Sequence, residues 1–397
     1  MKRIAKLSLV AAVAVAGLTT ANAQPLEEAI KNVDVSGSVV YRYNDYRNNT
    51  VRNATNTPAG GDTNTNNYKV GLNLSSKVNE DVKFNSRFLV ASGSGNLSGQ
   101  DYGTTGDSNL GVTLSHAYFG YTGIQNTTVN VGKQGLSTPW TVALDSDGNE
   151  QTGTGILALS TMGPVTVAGA YFNQTNLNAS GDVAGLNGSD AVATVGVIGV
   201  AGPVTLDAWY LDMTNTFDTY TVGAKGAFDI SGVKLGADAR FASLTMDAAG
   251  SKANTMAKLV LTADAGLVDG KIAYAMTDKD GGTTALDADA STTLLGWNLT
   301  ALNKVDADYW QAVLGFDILS NLNLSANYGN LQYIPTAGST TDVEEEEIYA
   351  QLLYKMSKNL TTYVRYGTYS KDTTAAAAAT ASNNEDTRGR LQVEYTF

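Results

Sequence analysis

An antiparallel β-barrel that crosses a membrane is the fold class this sequence predicts, and three observations predict it. The chain ends on Leu391-Gln392-Val393-Glu394-Tyr395-Thr396-Phe397, where apolar and polar residues alternate up to a terminal phenylalanine. A period of two makes a strand with one apolar and one polar face, and a last strand of this kind is what outer-membrane barrels present. At the other end, Lys2, Arg3 and Lys6 precede an apolar run from Leu7 to Leu18, and Ala21-Asn22-Ala23 supplies an A-x-A cleavage site. That pattern reads as a secretory signal peptide over residues 1–23, with the mature chain starting at Gln24. Finally, no later stretch approaches the roughly 18 consecutive apolar residues of a membrane helix. The mean hydropathy of −0.12 rules against helical spans but not against strands, which show lipid only every second residue.

The strands follow in order along the chain. Alternating segments cover residues 33–43, 67–75, 82–91, 114–122, 127–134, 165–173, 191–200, 204–211 and 219–228. They continue at 233–245, 253–263, 271–277, 309–318, 322–332, 346–356, 360–370 and 387–397, with a shorter one at 156–160. Short turns at 77–80, 123–126 and 229–232 alternate with long polar connections at 44–66, 92–111 and 371–386. Short periplasmic turns and long external loops are the layout of bacterial outer-membrane barrels. Gly163-Pro164-Val165-Thr166-Val167 reappears as Gly202-Pro203-Val204-Thr205-Leu206, with Pro at a strand start where it costs no ladder bond. Residues 291–302 form one further candidate strand. With both termini in the periplasm the count must be even, so 278–308 reads as one external loop containing that segment. Eighteen strands follow, or sixteen if 156–160 and a neighbour are not independent. A soluble secreted all-β chain explains neither the terminal Phe397 nor the alternation of loop lengths. Residues 24–32 read as a short periplasmic segment and 33–397 as the barrel.

Composition narrows the function. The 20 Tyr suit interfacial girdles. With no Cys there is neither a disulfide nor a thiolate site. A net charge of −12 argues against nucleic acid as a partner and favours a lumen that attracts cations. Catalysis inside such a barrel needs a base. The single histidine, His116, follows Ser115 directly, and neighbours in a strand point to opposite faces, so no Ser–His pair is expected and an enzyme is not.

Two motifs carry a resemblance. The run Pro25-Leu26-Glu27-Glu28-Ala29-Ile30-Lys31-Asn32-Val33-Asp34-Val35-Ser36-Gly37 resembles the opening of the Campylobacter-type major outer membrane porins. So does Gly132-Lys133-Gln134-Gly135-Leu136-Ser137-Thr138-Pro139-Trp140-Thr141, followed by an acidic segment and Gly153-Thr154-Gly155. The resemblance implies a homotrimeric, 18-stranded general diffusion porin, with loop 3 (about 135–153) folded into the channel. It places the protein among outer-membrane lipid and lipopolysaccharide. Phe397 would be the signal read by the barrel-assembly machinery. The alternative is a surface adhesin or structural barrel whose Asn- and Thr-rich external loops bind host or neighbouring components.

A porin needs a constriction, where charges line the narrowest part. Loop 3 carries Asp145, Asp147 and Glu150 and, from 135 to 152, no Lys or Arg. Strand parity supplies the opposing wall. If Val39, Tyr41 and Tyr43 face lipid, Arg42 faces inward. The same argument turns Lys69, Lys83, Arg87, Arg365, Arg388 and Arg390 inward. First and last strands are neighbours in a closed barrel, so these seven form one basic sector facing an acidic loop across the pore. Weak cation selectivity is the expectation, with a transverse field that orients polar solutes.

No cofactor is required by this reading. The stretch Asp145-Ser146-Asp147-Gly148-Asn149-Glu150 also resembles part of a calcium loop, with oxygen ligands at alternate positions and a Gly turn. Two readings stand: Ca²⁺ held by Asp145, Asp147, Asn149 and Glu150, or a solvated acidic loop. The run Glu344-Glu345-Glu346-Glu347 reads as surface charge at the rim.

Overall fold

The computed structural model describes residues 32–48, 62–91, 97–99, 111–179, 182–183, 185–374 and 382–397. The expected signal peptide and nearly all of the 24–32 segment lie outside the described residues. Eighteen strands build the barrel: β1 Val33–Asn48, β2 Thr63–Lys77, β3 Val82–Val90, β4 Val112–Ile124, β5 Thr127–Gly135 and β6 Thr152–Met162. Next come β7 Val165–Thr175, β8 Val192–Ala201, β9 Val204–Met213, β10 Phe217–Ile230, β11 Val233–Met246 and β12 Asn254–Asp264. The ring is completed by β13 Val268–Thr277, β14 Val305–Leu319, β15 Leu322–Ile334, β16 Asp342–Ser357, β17 Leu360–Thr374 and β18 Ser382–Thr396. A two-residue strand, Ser98–Gly99, lies beside Asn67 and Tyr68 of β2.

Each strand pairs antiparallel with the next, and β18 returns to β1, so the sheet has no open edge. The closing register runs from Ser38↔Thr396 to Asn48↔Asp386. Beyond the strand end, Phe397 N donates to Gly37 O at 3.0 Å and Gly37 N donates to Phe397 O at 2.9 Å. The count of eighteen is decided by 156–160, whose five residues grow into the full strand Thr152–Met162. Residues 291–302 form no barrel strand. Most strands run further toward the external side than their apolar alternation does; β1, for example, continues through Asn44-Asp45-Tyr46-Arg47-Asn48. Polar residues there extend the ladder past the lipid, where period two carries no hydrophobic mark.

The apolar face points outward. On β14, Trp310, Leu314, Phe316 and Ile318 are exposed on the barrel's outer surface, while Tyr309 and Gln311, on either side of Trp310, are buried inside. Side chains that would be a liability in water are the lipid belt here. The repeated Gly-Pro motif makes two-residue periplasmic hairpins. Gly163 and Gly202 take φ of 58° and 57°, the left-handed slot such hairpins need and glycine fills without strain.

The core sits inside the external mouth rather than between layers. Leu136 and Trp140 from the β5–β6 connection pack with Leu186 from the β7–β8 connection and with Leu286 and Leu302 from the β13–β14 connection. The upper ends of β7, β9 and β10 contribute Phe172, Met213 and Phe217. Three loops thus bury one hydrophobic cluster against the inner wall, and this positions the site.

Candidate pore constriction

Loop 3 (residues 136–151) leaves β5 and turns inward. Its carboxylates meet the basic wall directly. Arg42 Nη1 lies 2.9 Å from Asp147 Oδ1, and Arg42 also donates to the Ser146 carbonyl. Glu150 accepts from Lys69 at 2.7 Å, from Arg87 Nη2 at 2.8 Å and from Ser115 Oγ at 2.5 Å. A side chain at Gly71 would run into the Arg87 guanidinium, so glycine there clears the path for Arg87 to reach the loop. Burial alone would raise the Glu150 carboxyl, but Arg87 and Lys69 outweigh it and hold it down to about 2.

These contacts change the picture of an acidic loop facing a basic sector across open water. Attraction between unlike charges has closed that gap: Arg42, Lys69 and Arg87 tie loop 3 to β1–β3. Of the other four expected cations, Arg390 also reaches loop 3 and the remaining three lie elsewhere. Arg390 Nη1 sits 4.0 Å from Asp147 Oδ1 and its Nε donates to Asn44 at 2.7 Å. Arg388 bonds Asp386 at 2.8 Å and Asn298 at 2.7 Å, higher in the mouth. Arg365 donates from Nε to Gln351 at 2.5 Å. Lys83 is exposed at the periplasmic start of β3 and makes no ion pair among the described residues; four positions from Arg87, it is too far down the strand to join the group.

The loop over residues 278–304, here loop 7, is not a free external loop. It folds into the mouth and lies on loop 3. Leu286 N donates to Trp140 O at 2.9 Å, and Thr292 N donates to Pro139 O at 3.1 Å. Gln151 Nε2 donates to Leu286 O at 3.1 Å, and Ser146 Oγ donates to Asp289 at 2.9 Å. Half of the run expected as rim charge anchors it from the wall. Glu347 accepts from Trp297 N at 3.0 Å and Asn298 N at 2.7 Å. Glu345 accepts from Tyr333 at 2.6 Å and pairs with Lys371 at 3.2 Å. Alternation along β16 turns Glu345 and Glu347 inward and leaves Glu344 and Glu346 outside.

The water space lies on the far side of the joined loops, a cavity of about 920 Å³. Asp145, Asp147, Asp182 and Asp289 border it from the loops; Lys258, Lys271, Arg365 and Arg390 border it from the wall. Lys258 donates to Thr293 O at 2.8 Å and Lys271 to Gln311 Oε1 at 2.9 Å, so both charges rest on neutral acceptors.

The four expected calcium ligands do not converge. Glu150 and Asp147 are taken by cations, and Asp145 accepts from the Asn149 backbone at 2.7 Å. One oxygen each of Asp145, Asp287 and Asp289 instead lie within 4.8 Å of one another. Burial raises the Asp145 carboxyl to about 6 and that of Asp287 to about 7. Asp287 Oδ2 is buried with no hydrogen-bond partner among the described residues, so this group fits a hard cation better than the contiguous set does.

Ser115 and His116 also depart from simple parity. A β-bulge lets Arg87 pair with His116 while Phe88 pairs with Leu114, so both side chains turn inward. They do not bond each other: Ser115 serves Glu150, and His116 Nε2 has no hydrogen-bond partner among the described residues.

A closed eighteen-stranded barrel, with a lipid-facing apolar belt and an inward loop bounding a polar cavity, is the setting for the comparisons with known proteins. A family model described as the Campylobacter major outer membrane protein matches residues 1–397. The chain belongs to this family. It is a porin of the outer membrane. Similar solved structures include Acinetobacter baumannii OccAB3, at 13% identity and a TM-score of 0.72, covering 92% of this chain and 99% of that one. Pseudomonas aeruginosa OccK2 (OpdF) is 14% identical with a TM-score of 0.71, over 92% and 98% of the two chains. Pseudomonas aeruginosa OccK1 (OpdK), at 15% and 0.69, covers 92% and 98%. At these identities the likeness is one of fold. No curated protein matches the sequence.

Sequence reasoning missed Lys258, Lys271, Asp182, Asp287 and Asp289 as parts of the porin's lumen. The first two were within reach: Leu259 and Leu261 face lipid, so parity turns Lys258 inward. The acids of loop 7 carried a fainter signal, the apolar content of Leu294-Leu295-Gly296-Trp297-Asn298-Leu299, which a solvated loop would not need.

Proposed function

We propose that this porin passes ions and small hydrophilic solutes by passive diffusion with a weak preference for cations, set where loops 3 and 7 narrow the lumen. One observation carries the reading. Asp145, Asp182, Asp287 and Asp289 cluster at the loops and none forms an ion pair among the described residues. The opposing lysines and arginines keep the preference weak. Reversal potentials in a salt gradient test it: exchanging Asp145, Asp147 and Asp289 for Asn shifts the potential toward anions, more at low salt than at high. An unchanged potential at low salt removes these loops as the source.

The cluster Asp145, Asp287 and Asp289 supports a further reading, a divalent cation such as Ca²⁺ joining loop 3 to loop 7. The buried, unpartnered Asp287 Oδ2 favours it. A chelator should then lower the thermal midpoint of the wild type and leave Asp287→Asn unmoved.

The assembly is read as a homotrimer by analogy with the family, among lipid and lipopolysaccharide, with Phe397 as the mark read by the barrel-assembly machinery. Native mass spectrometry in detergent giving monomer alone would overturn the trimer. The channel is not read as an enzyme, since His116 and Ser115 share a face without pairing.

A further inference from the structure

The lumen wall of β16–β18 carries a cation whose binding capacity is unused. Arg365 donates from Nε to Gln351, and its two terminal nitrogens have neither a hydrogen bond nor an ion pair among the described residues. Glu347, the acid beside it on β16, is occupied by the backbone amides of Trp297 and Asn298. Arg365 borders the cavity between the loops and the wall.

Three aromatic rings surround this guanidinium. Its carbon lies 4.7 Å from the Tyr363 ring centre and 5.8 Å from those of Trp297 and Tyr349. Trp297 and Tyr349 meet edge to face at 5.0 Å. The indole also lies 5.8 Å from the Arg390 guanidinium. Loop 7 brings Trp297 here, held by Glu347. Ring contacts fix the plane of a guanidinium without using its donors. What remains is a preset two-pronged donor in a cavity large enough for a small solute.

We propose that Arg365, with Trp297 and Tyr349 beside it, is a docking site for small planar carboxylates, above all those whose carboxylate sits on an aromatic ring. The carboxylate takes both terminal nitrogens of Arg365 in the geometry that arginine offers and lysine does not. The solute's ring lies against the aromatic side chains. Lys271 and Lys258 bound the same cavity and supply a second cationic surface onto which the anion passes. The site rests on the porin reading and deepens it: a channel with weak cation preference overall holds one local stop for organic anions.

Single-channel recording in planar bilayers tests the proposal, with benzoate as the probe and the neutral isostere benzamide beside it. Open steps in potassium chloride alone establish the channel. Benzoate then produces resolved interruptions of the current and benzamide does not. In Arg365→Gln the affinity for benzoate falls about tenfold or more, as loss of a charge-assisted pair requires. Arg365→Lys recovers only part of it, Trp297→Leu weakens it severalfold, and Lys234→Gln at the periplasmic rim leaves it unchanged. Open steps with no benzoate interruptions, or interruptions that persist unchanged in Arg365→Gln, overturn the docking site and leave the porin standing. Absence of open steps overturns both.

Discussion

Lys69 and Glu150 meet at 2.7 Å with side chains only 4% and 2% exposed. Glu150 is also held by Arg87 and Ser115, so one carboxylate gathers three wall residues where loop 3 meets β2, β3 and β4. Charges this deep are stable only as a set, because each would cost several kcal/mol if left alone.

Glu150→Gln should therefore leave Lys69 and Arg87 buried without their counter-charge. The expected loss is about 3–5 kcal/mol, the range for removing one partner of a buried pair. A lowered thermal midpoint and a noisier open current would register it. A midpoint equal to that of the wild type would mean that loop 3 is held by its apolar contacts alone.

The same latch has a pH signature. Glu150 is depressed from an ordinary 4.5 to about 2. A depressed carboxylate contributes stability in full above its unfolded value and loses it as pH falls through the folded one. Thermal midpoints should thus gain nothing from this group between pH 7 and 5 and fall between about 4.5 and 2. In Glu150→Gln that portion of the fall should be missing; parallel curves for the two proteins would assign the acid sensitivity to another group.

Trp140 is fully buried where loop 3, loop 7 and the β7–β8 connection join. Trp140→Ala should cost about 3–5 kcal/mol by the cavity it leaves. Because the cavity opens between the loops rather than in the wall, the barrel should still assemble. Conductance should rise or flicker between levels, and steady wild-type steps from the variant would separate the cluster from the width of the pore.

Phe397 makes the last two rungs of the closing ladder with Gly37. Deleting it should reduce the folded, heat-modifiable fraction in the membrane. Gel shift after extraction without boiling measures that fraction, and normal yield would show that closure is complete at Thr396.

Every barrel strand was legible because lipid imposes a period of two on one face, and even the short 156–160 segment kept it. The inward loops were legible only in part. Asp145, Asp147 and Glu150 stood out as acids in a stretch without cations, but no periodicity tells a loop which wall it will touch. Arg42, Lys69 and Arg87 followed from parity, and parity says nothing of depth, which is why Lys83 was grouped with them. Loop 7 was hidden by its own apolar residues, which suggested a strand at 291–302 when they serve a core inside the mouth. At Ser115 and His116 a single extra residue defeated parity, since a bulge leaves no trace in the sequence pattern.

The junction of loops 3 and 7 also has a mechanical meaning. Loop 3 springs from β5 and β6, loop 7 from β13 and β14, eight places apart in a ring of eighteen and so almost a diameter. Tied at the middle by Trp140 and Leu286, and at their flanks to Arg42 on β1 and Glu347 on β16, they form a tie-beam across the cylinder. Such a beam stiffens the cross-section against flattening into an ellipse, which a plain sheet of strands resists poorly. It also cannot be installed early, since Arg42, loop 3, loop 7 and Glu347 are spread along most of the chain and long stretches must be closed before they can be joined.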